Sequence, residues 1–200
     1  GTLYSLDEVR QLCDVAHKHG LRVHLDGARI GNAVAALGAT RNMFSAMTFD
    51  AGVDAVSFGG TKNAMLNAEA VLLSGVDQTR RAQYLRKQVG QLPSKMRYTA
   101  AQFMEALSDD LWIQTAQDAN RSAESLYVAL KDVALLQLAA PAVNSLYPTL
   151  PEPHRSQLQE WSFFWDWDLS RDQVRWMTSW DTTDDDIQRF VAGVRHVIDR

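Results

Sequence analysis

Apolar and polar positions change period several times along the chain, and each change marks an element. From Ser5 to His19 the apolar residues Val9, Leu12, Cys13 and Ala16 recur at helical spacing, and Ser5-x-x-Glu8 forms a capping box in front of them. Gly20 ends that helix, and Leu21 to Leu25 then read as a short strand that stops at Asp26-Gly27. Helical segments follow over Ile30 to Leu37 and Met43 to Met47. Asp54 to Phe58 is a strand closed by Gly59-Gly60, and Ala68 to Leu73 is another, antiparallel if the turn between them is a hairpin. Helical periods then dominate Gln78 to Val89, Tyr98 to Leu107 and Ile113 to Leu130.

Beyond these the period shortens again. Leu135 to Leu138 and Val143 to Tyr147 read as strands around Ala140-Pro141, and Pro148 to Pro153 as a proline-punctuated loop. In Ser162 to Asp168 the residues Phe163, Trp165 and Trp167 alternate with Phe164, Asp166 and Asp168, as in a half-buried strand. Val174 to Thr178 is one more strand. Thr183 or Asp184 caps a closing helix with Ile187, Phe190, Val191, Val194 and Ile198 on its inner face. The pattern predicts an α/β layer followed by a smaller α+β layer, divided near residue 112 into domains 1–112 and 113–200. The chain enters its first helix after only four residues, with no strand before it, and this predicts entry in mid-fold.

Composition narrows the function classes. Twenty basic and 24 acidic side chains give a net charge of −4 with no long basic run, which argues against a nucleic-acid binder. The sequence contains no apolar segment of membrane-spanning length and no signal-peptide pattern, so a cytoplasmic protein is expected, with no membrane partner. The single cysteine, Cys13, lies on the helical apolar stripe and is expected to pack in the core.

Lys62 draws attention because it follows an apolar strand within a turn of small residues, Gly59-Gly60-Thr61. A lysine at a strand's carboxyl end is placed where open α/β sheets bind ligands, and its amine can attack an aldehyde. Asp26 stands at the end of another strand. Pyridoxal phosphate is the cofactor that uses such a lysine most widely, and it also needs a carboxylate at its pyridine nitrogen. Taken singly, Lys62 is more often a surface loop lysine and Asp26-Gly27 more often a plain turn.

Together with their neighbours these residues become specific. HLDGARIGNA (24–33) and VSFGGTKNAMLNAEAVLL (56–73) resemble the low-specificity L-threonine aldolases of the β-eliminating lyase group, fold-type I pyridoxal phosphate enzymes. The resemblance extends from GTLYS (1–5) through SKMRY (94–98) to VRWMTSW (174–180). It implies an α/β fold in which residues 1–112 are the C-terminal part of the cofactor-binding large domain and 113–200 the small domain. It further implies that Lys62 carries the cofactor as a Schiff base and that Asp26 meets the pyridine nitrogen. Arg29 would lie near the cofactor oxygen and the substrate carboxylate, and Arg175 would grip that carboxylate. Thr61 would reach the phosphate, and Arg97 the phosphate region of a neighbouring subunit in a homodimer or homotetramer.

The implied reaction is cleavage of L-threonine, L-allo-threonine or related β-hydroxy-α-amino acids to glycine and an aldehyde. Another lyase or transaminase of the same fold, or a non-catalytic fragment, are the alternatives. In the family, a segment ahead of the position of Gly1 carries a phosphate cup, a ring-stacking histidine and a serine near the substrate carboxylate. This chain is therefore expected to be a C-terminal part that has a missing N-terminal half as its partner and leaves sheet edges and apolar faces bare.

Other features receive structural readings. Asp184-Asp185-Asp186 suits the positive end of a helix, and Asp166, Asp168 and Asp172 lack the glycine and glutamate of a calcium loop. His24 is expected to be a structural strand residue. Tryptophans 161, 165, 167, 176 and 180 are expected to pack inside the small domain.

Overall fold

The computed structural model describes residues 1–199, which form two compact units: one spans Tyr4–Thr115, and the other runs from Ala116 onward and includes Gly1–Leu3.

In the first unit, α1 (Leu6–Lys18) is opened by the Ser5/Glu8 capping box. It buries Val9 and Cys13, the latter 1% exposed, and that burial raises the Cys13 thiol pKa. Strand β1 (His24–Gly27) starts three residues later than the apolar run suggested, because Val23 is tied through its backbone to Asp54 rather than to a ladder. Then come α2 (Ile30–Leu37), α3 (Arg41–Met47), β2 (Ala55–Gly59), β3 (Glu69–Leu73), α4 (Val76–Gln88) and α5 (Met96–Leu107). Helix α6 (Leu111–Leu130) begins in this unit.

The sheet order is β1-β2-β3. Strands β1 and β2 are parallel with Asp26 opposite Ser57, and β2 and β3 form the antiparallel pair expected of the hairpin. Strand alternation splits this sheet into two faces. Leu25, Val56, Phe58, Ala70 and Leu72 point into a core shared with Val34, Met47, Phe103 and Trp112. Phe58 meets Phe44, Phe103 and Trp112 at ring-centroid distances of 5.6, 5.9 and 5.4 Å. Each such buried side chain stabilises by about 1.5–3 kcal/mol. The opposite face carries His24, Asp26, Ser57, Glu69 and Val71, with Val71 67% exposed. Helix α4 buries none of its residues.

In the second unit the sheet order is β4-β6-β5, from β4 (Ser145–Leu146), β6 (Gln173–Met177) and β5 (Trp165–Asp168), all antiparallel. Helices α7 (His154–Trp161) and α8 (Asp184–Ile198) join the rest of α6 in a core of Leu126, Leu130, Leu146, Leu158, Phe164, Val174, Trp176 and Val194. Thr183 caps α8 in a capping box with Asp186, whose carboxylate accepts from the Thr183 backbone N–H.

Three expectations fail in this unit. The strand expected over Leu135 to Leu138 is a 3-10 turn, Ala134–Leu136, and the one over Val143 to Tyr147 shrinks to two residues. The five tryptophans are also mostly not interior: Trp161, Trp165, Trp167 and Trp180 are about half exposed and Trp176 is buried; Trp165 and Trp167 lie on the edge strand β5, whose Asp166 bonds to Gln159.

Candidate active site

Two turns meet at the carboxyl ends of the parallel pair. After β1 the chain turns through Asp26-Gly27-Ala28, and Asp26 Oδ1 accepts from the Ala28 N–H at 3.1 Å, which fixes the carboxylate against its own turn. After β2 the chain passes through Gly59-Gly60 into the Thr61–Ala64 turn. The two pack backbone to backbone. A Cβ on Gly59 would lie 2.5 Å from Ala28 O, and one on Gly27 equally close to Ser57 O, so neither position admits a side chain. Asp26 and the lysine turn thus sit on adjacent strand ends although 35 residues lie between Asp26 and Lys62.

The Lys62 turn is pinned on three sides. The Glu69 carboxylate accepts from the N–H groups of Gly60 (3.3 Å) and Thr61 (3.1 Å). Asn63 is buried: its Nδ2 donates to Trp112 O at 2.6 Å and its Oδ1 accepts from Thr115 Oγ1 at 2.8 Å. Gln102 Oε1 receives the Leu66 N–H at 2.8 Å. Ala64 takes a left-handed φ of 68°, a conformation that a non-glycine residue holds only where its surroundings impose it. Lys62 itself is exposed, and no described residue hydrogen-bonds or ion-pairs with it. A rigid turn therefore carries a mobile amine.

Other predicted residues are placed as follows. Thr61 is exposed beside Lys62. Arg29 is half-buried and is the N-cap residue of α2, three positions beyond Asp26. Arg97 is exposed in the first turn of α5. Arg175 lies on β6 of the second unit, with its guanidinium carbon 5.2 Å from the centre of the Trp167 ring. His24 is exposed on the same face as Asp26, its Nε2 2.9 Å from Ser57 Oγ. A cavity of about 360 Å³ in the second unit, lined by Trp161, Phe164, Trp176 and Phe190, includes none of the predicted site residues.

Sequence reasoning passed over Asn63, Glu69 and Gln102. Their bonds to Trp112, the glycine turn and Leu66 span 49, 9 and 36 residues, and only the adjacency of Asn63 to Lys62 hinted at a role.

The profile of the beta-eliminating lyase family matches residues 1–151. The chain belongs to the beta-eliminating lyase family. It is 36% identical over 201 residues to the low specificity L-threonine aldolase of Pseudomonas aeruginosa and 34% identical to that of a Pseudomonas species. In each case 99% of this chain aligns with 57% of the relative. This beta-eliminating lyase chain thus spans little more than half the length of those curated relatives.

Among solved structures, a Leishmania major threonine aldolase superposes with a TM-score of 0.85 at 26% identity, covering 99% of this chain and 58% of that one. The α-aminoadipate aminotransferase LysN of Thermus thermophilus, solved with a phosphopyridoxyl-leucine adduct, shares the fold at a TM-score of 0.70 and 14% identity, covering 100% of this chain and 55% of that one. The fold is that of the fold-type I pyridoxal phosphate enzymes.

Proposed function

We propose that this chain supplies the lysine and carboxylate half of a pyridoxal phosphate site that cleaves L-threonine, L-allo-threonine or a related β-hydroxy-α-amino acid to glycine and an aldehyde. The reading rests on one observation above all: a lysine without a partner among the described residues and a turn-anchored aspartate stand on the ends of two adjacent parallel strands, whose turns pack together through Gly27 and Gly59. The residues fit the cofactor's chemistry at both ends, an amine for its aldehyde and a carboxylate for its pyridine nitrogen. The named threonine aldolases among the relatives favour this substrate class.

When bound, pyridoxal phosphate supplies an electron sink that lets the bond between Cα and Cβ of an amino acid break. The protein's own residues do the rest. Lys62 would hold the cofactor through its Nζ. Asp26 keeps a proton on the ring nitrogen, and its Ala28 N–H bond holds it in that orientation. Arg175 would bind the substrate carboxylate and so orient the substrate, an orientational gain that accounts for much of such catalysis. Arg29 supports the same carboxylate, Thr61 the phosphate, and Arg97 a neighbouring subunit's phosphate in a homodimer or homotetramer.

Incubation with pyridoxal phosphate, borohydride reduction and peptide mapping tests the assignment. A phosphopyridoxyl mass is expected on the Lys62 peptide, absent in Lys62→Ala and retained in Lys95→Ala. Labelling elsewhere refutes the role of Lys62. For the holoenzyme, release of pyruvate or ammonia from threonine in place of glycine refutes the aldol reaction.

A further inference from the structure

Arginines in the second unit fall into two kinds. Arg155 draws three carboxylates, those of Glu152, Asp166 and Asp172, at 2.8, 3.8 and 3.7 Å, and Arg195 pairs with Asp132 at 2.8 Å. Arg175 is half-buried on the central strand, yet no carboxylate among the described residues ion-pairs with it, and its Nε is buried with no hydrogen-bond partner. An arginine left this way forfeits hydrogen bonds that each contribute about 1.5–3 kcal/mol when made to a charged group. What holds it is aromatic. The guanidinium lies over the Trp167 ring at 5.2 Å, and Tyr147 meets that ring edge-on at 5.1 Å and 66°. Trp165 stands opposite Arg175 in the β5–β6 register. The exposure of Trp167 is explained by this contact: the indole faces outward because the cation it supports does.

We infer that Trp167, braced by Tyr147, is a positioning residue that fixes the Arg175 guanidinium for a carboxylate ligand without neutralising it. A carboxylate neighbour would hold the arginine as firmly but would compete with the incoming anion. A ring face restrains the cation through its quadrupole and occupies none of its N–H donors. The inference rests on the reading of Arg175 as the residue that takes the substrate carboxylate.

The test uses the holoenzyme, with glycine as the carboxylate ligand and ethanolamine as an amine that lacks one. Affinities are measured by titration calorimetry, alongside kcat and KM for threonine. Trp167→Leu is expected to weaken glycine about tenfold and to raise KM by a similar factor, with kcat within about threefold of the parent, since a cation–π contact between a half-buried guanidinium and a half-exposed ring, midway in the range of such contacts, is worth roughly that much in affinity. Ethanolamine binding should not change. Trp167→Phe, which keeps a ring face, should recover most of the loss, and it carries the test if the leucine variant fails to fold, since glycine binding should then stay within about threefold of the parent.

Arg175→Leu separates the two layers of the argument. If it leaves glycine binding intact, the reading of Arg175 itself is wrong. If it weakens glycine while Trp167→Leu does not, the positioning role of Trp167 is overturned and the arginine's role stands. Equal weakening of glycine and ethanolamine by Trp167→Leu, or a Trp167→Phe variant as weak as the leucine one, also overturns it.

Discussion

Asn63 offers the sharpest test of how the lysine turn is held, because its side chain is buried and both ends of its amide are used. Truncation to alanine removes the 2.6 Å bond from Nδ2 to Trp112 O and the 2.8 Å bond from Thr115 Oγ1 to Oδ1. The two losses are unequal. Thr115 Oγ1 can turn to Leu111 O at 3.0 Å, within its own helix, so its hydroxyl stays satisfied, and most of the cost falls on the Trp112 bond. That bond contributes about 1 kcal/mol net, and the vacated amide volume adds a cavity term of similar size, so Asn63→Ala should cost about 2–3 kcal/mol.

Urea denaturation followed by circular dichroism measures this directly, provided the m-value is unchanged. A double-mutant cycle with Thr115→Val isolates the hydroxyl–amide pair, expected to couple by about 0.5–1 kcal/mol. Because Asn63 adjoins Lys62, amide exchange across residues 60–67 should quicken in the alanine variant. A loss below about 0.5 kcal/mol with unchanged exchange would show that the turn is held by Glu69 and Gln102 alone, and the reasoning would fail.

Two further perturbations probe the same unit. Asp54 accepts from the Val23 N–H and from the His17 and Arg22 side chains, each at 2.9 Å; led by the backbone bond, these hold its pKa at about 2. A depressed folded pKa gives stability that is fully present above the ordinary carboxylate range and is lost as pH falls from about 4 toward 2. The shift is worth about 2 kcal/mol, so Asp54→Asn should flatten the acid limb of a Tm-against-pH curve, and parallel limbs for variant and parent would contradict this. Gly59→Ala would drive a Cβ to within 2.6 Å of the Ala28 Cα, backbone that cannot swing aside, and should cost more than about 2 kcal/mol in the same urea assay. Gly90→Ala, at a φ of 74° with open space around it, should cost only about 1 kcal/mol, and equal losses would show that contact at Gly59 is not the cause.

What could be read from the sequence was whatever local chemistry punctuates. The Ser5 and Thr183 caps, the Asp26-Gly27 and Gly59-Gly60 stops and the hairpin between β2 and β3 all announce themselves within a few residues. The second unit was harder because its errors propagate. Helix α7 buries only Leu158, so its polar sequence between Pro153 and Ser162 carries too weak an apolar period to announce a helix. Without α7 there was no reason to expect Arg155 and Gln159 beneath β5, and hence none to turn Asp166 inward. The period-two alternation in Phe163 to Asp168 was recognised, but the tryptophans were assigned to the wrong face. Only tertiary partners decide which side of an alternating strand is wet.

The same partners separate charges that serve the fold from those available to a ligand. Asp54 is hydrogen-bonded and Arg155 is surrounded by carboxylates from neighbours on two or more elements, and each neighbour is a reason for the chain to fold there. Lys62, exposed on a pinned turn, has no such partner among the described residues, and Arg175 has a ring in place of a carboxylate. Burying a charge without pairing it costs free energy, so the half-buried Arg175 depends on other contacts to hold its backbone, whereas the exposed Lys62 amine stays hydrated and its turn alone needs fixing. Asn63, Glu69 and Gln102 do this around Lys62; the β4–β6 and β5–β6 ladders do it under Arg175. Among the described residues Lys62 and Arg175 stand without a carboxylate partner, and they are two of the residues that the threonine aldolase resemblance assigns to the cofactor and the substrate.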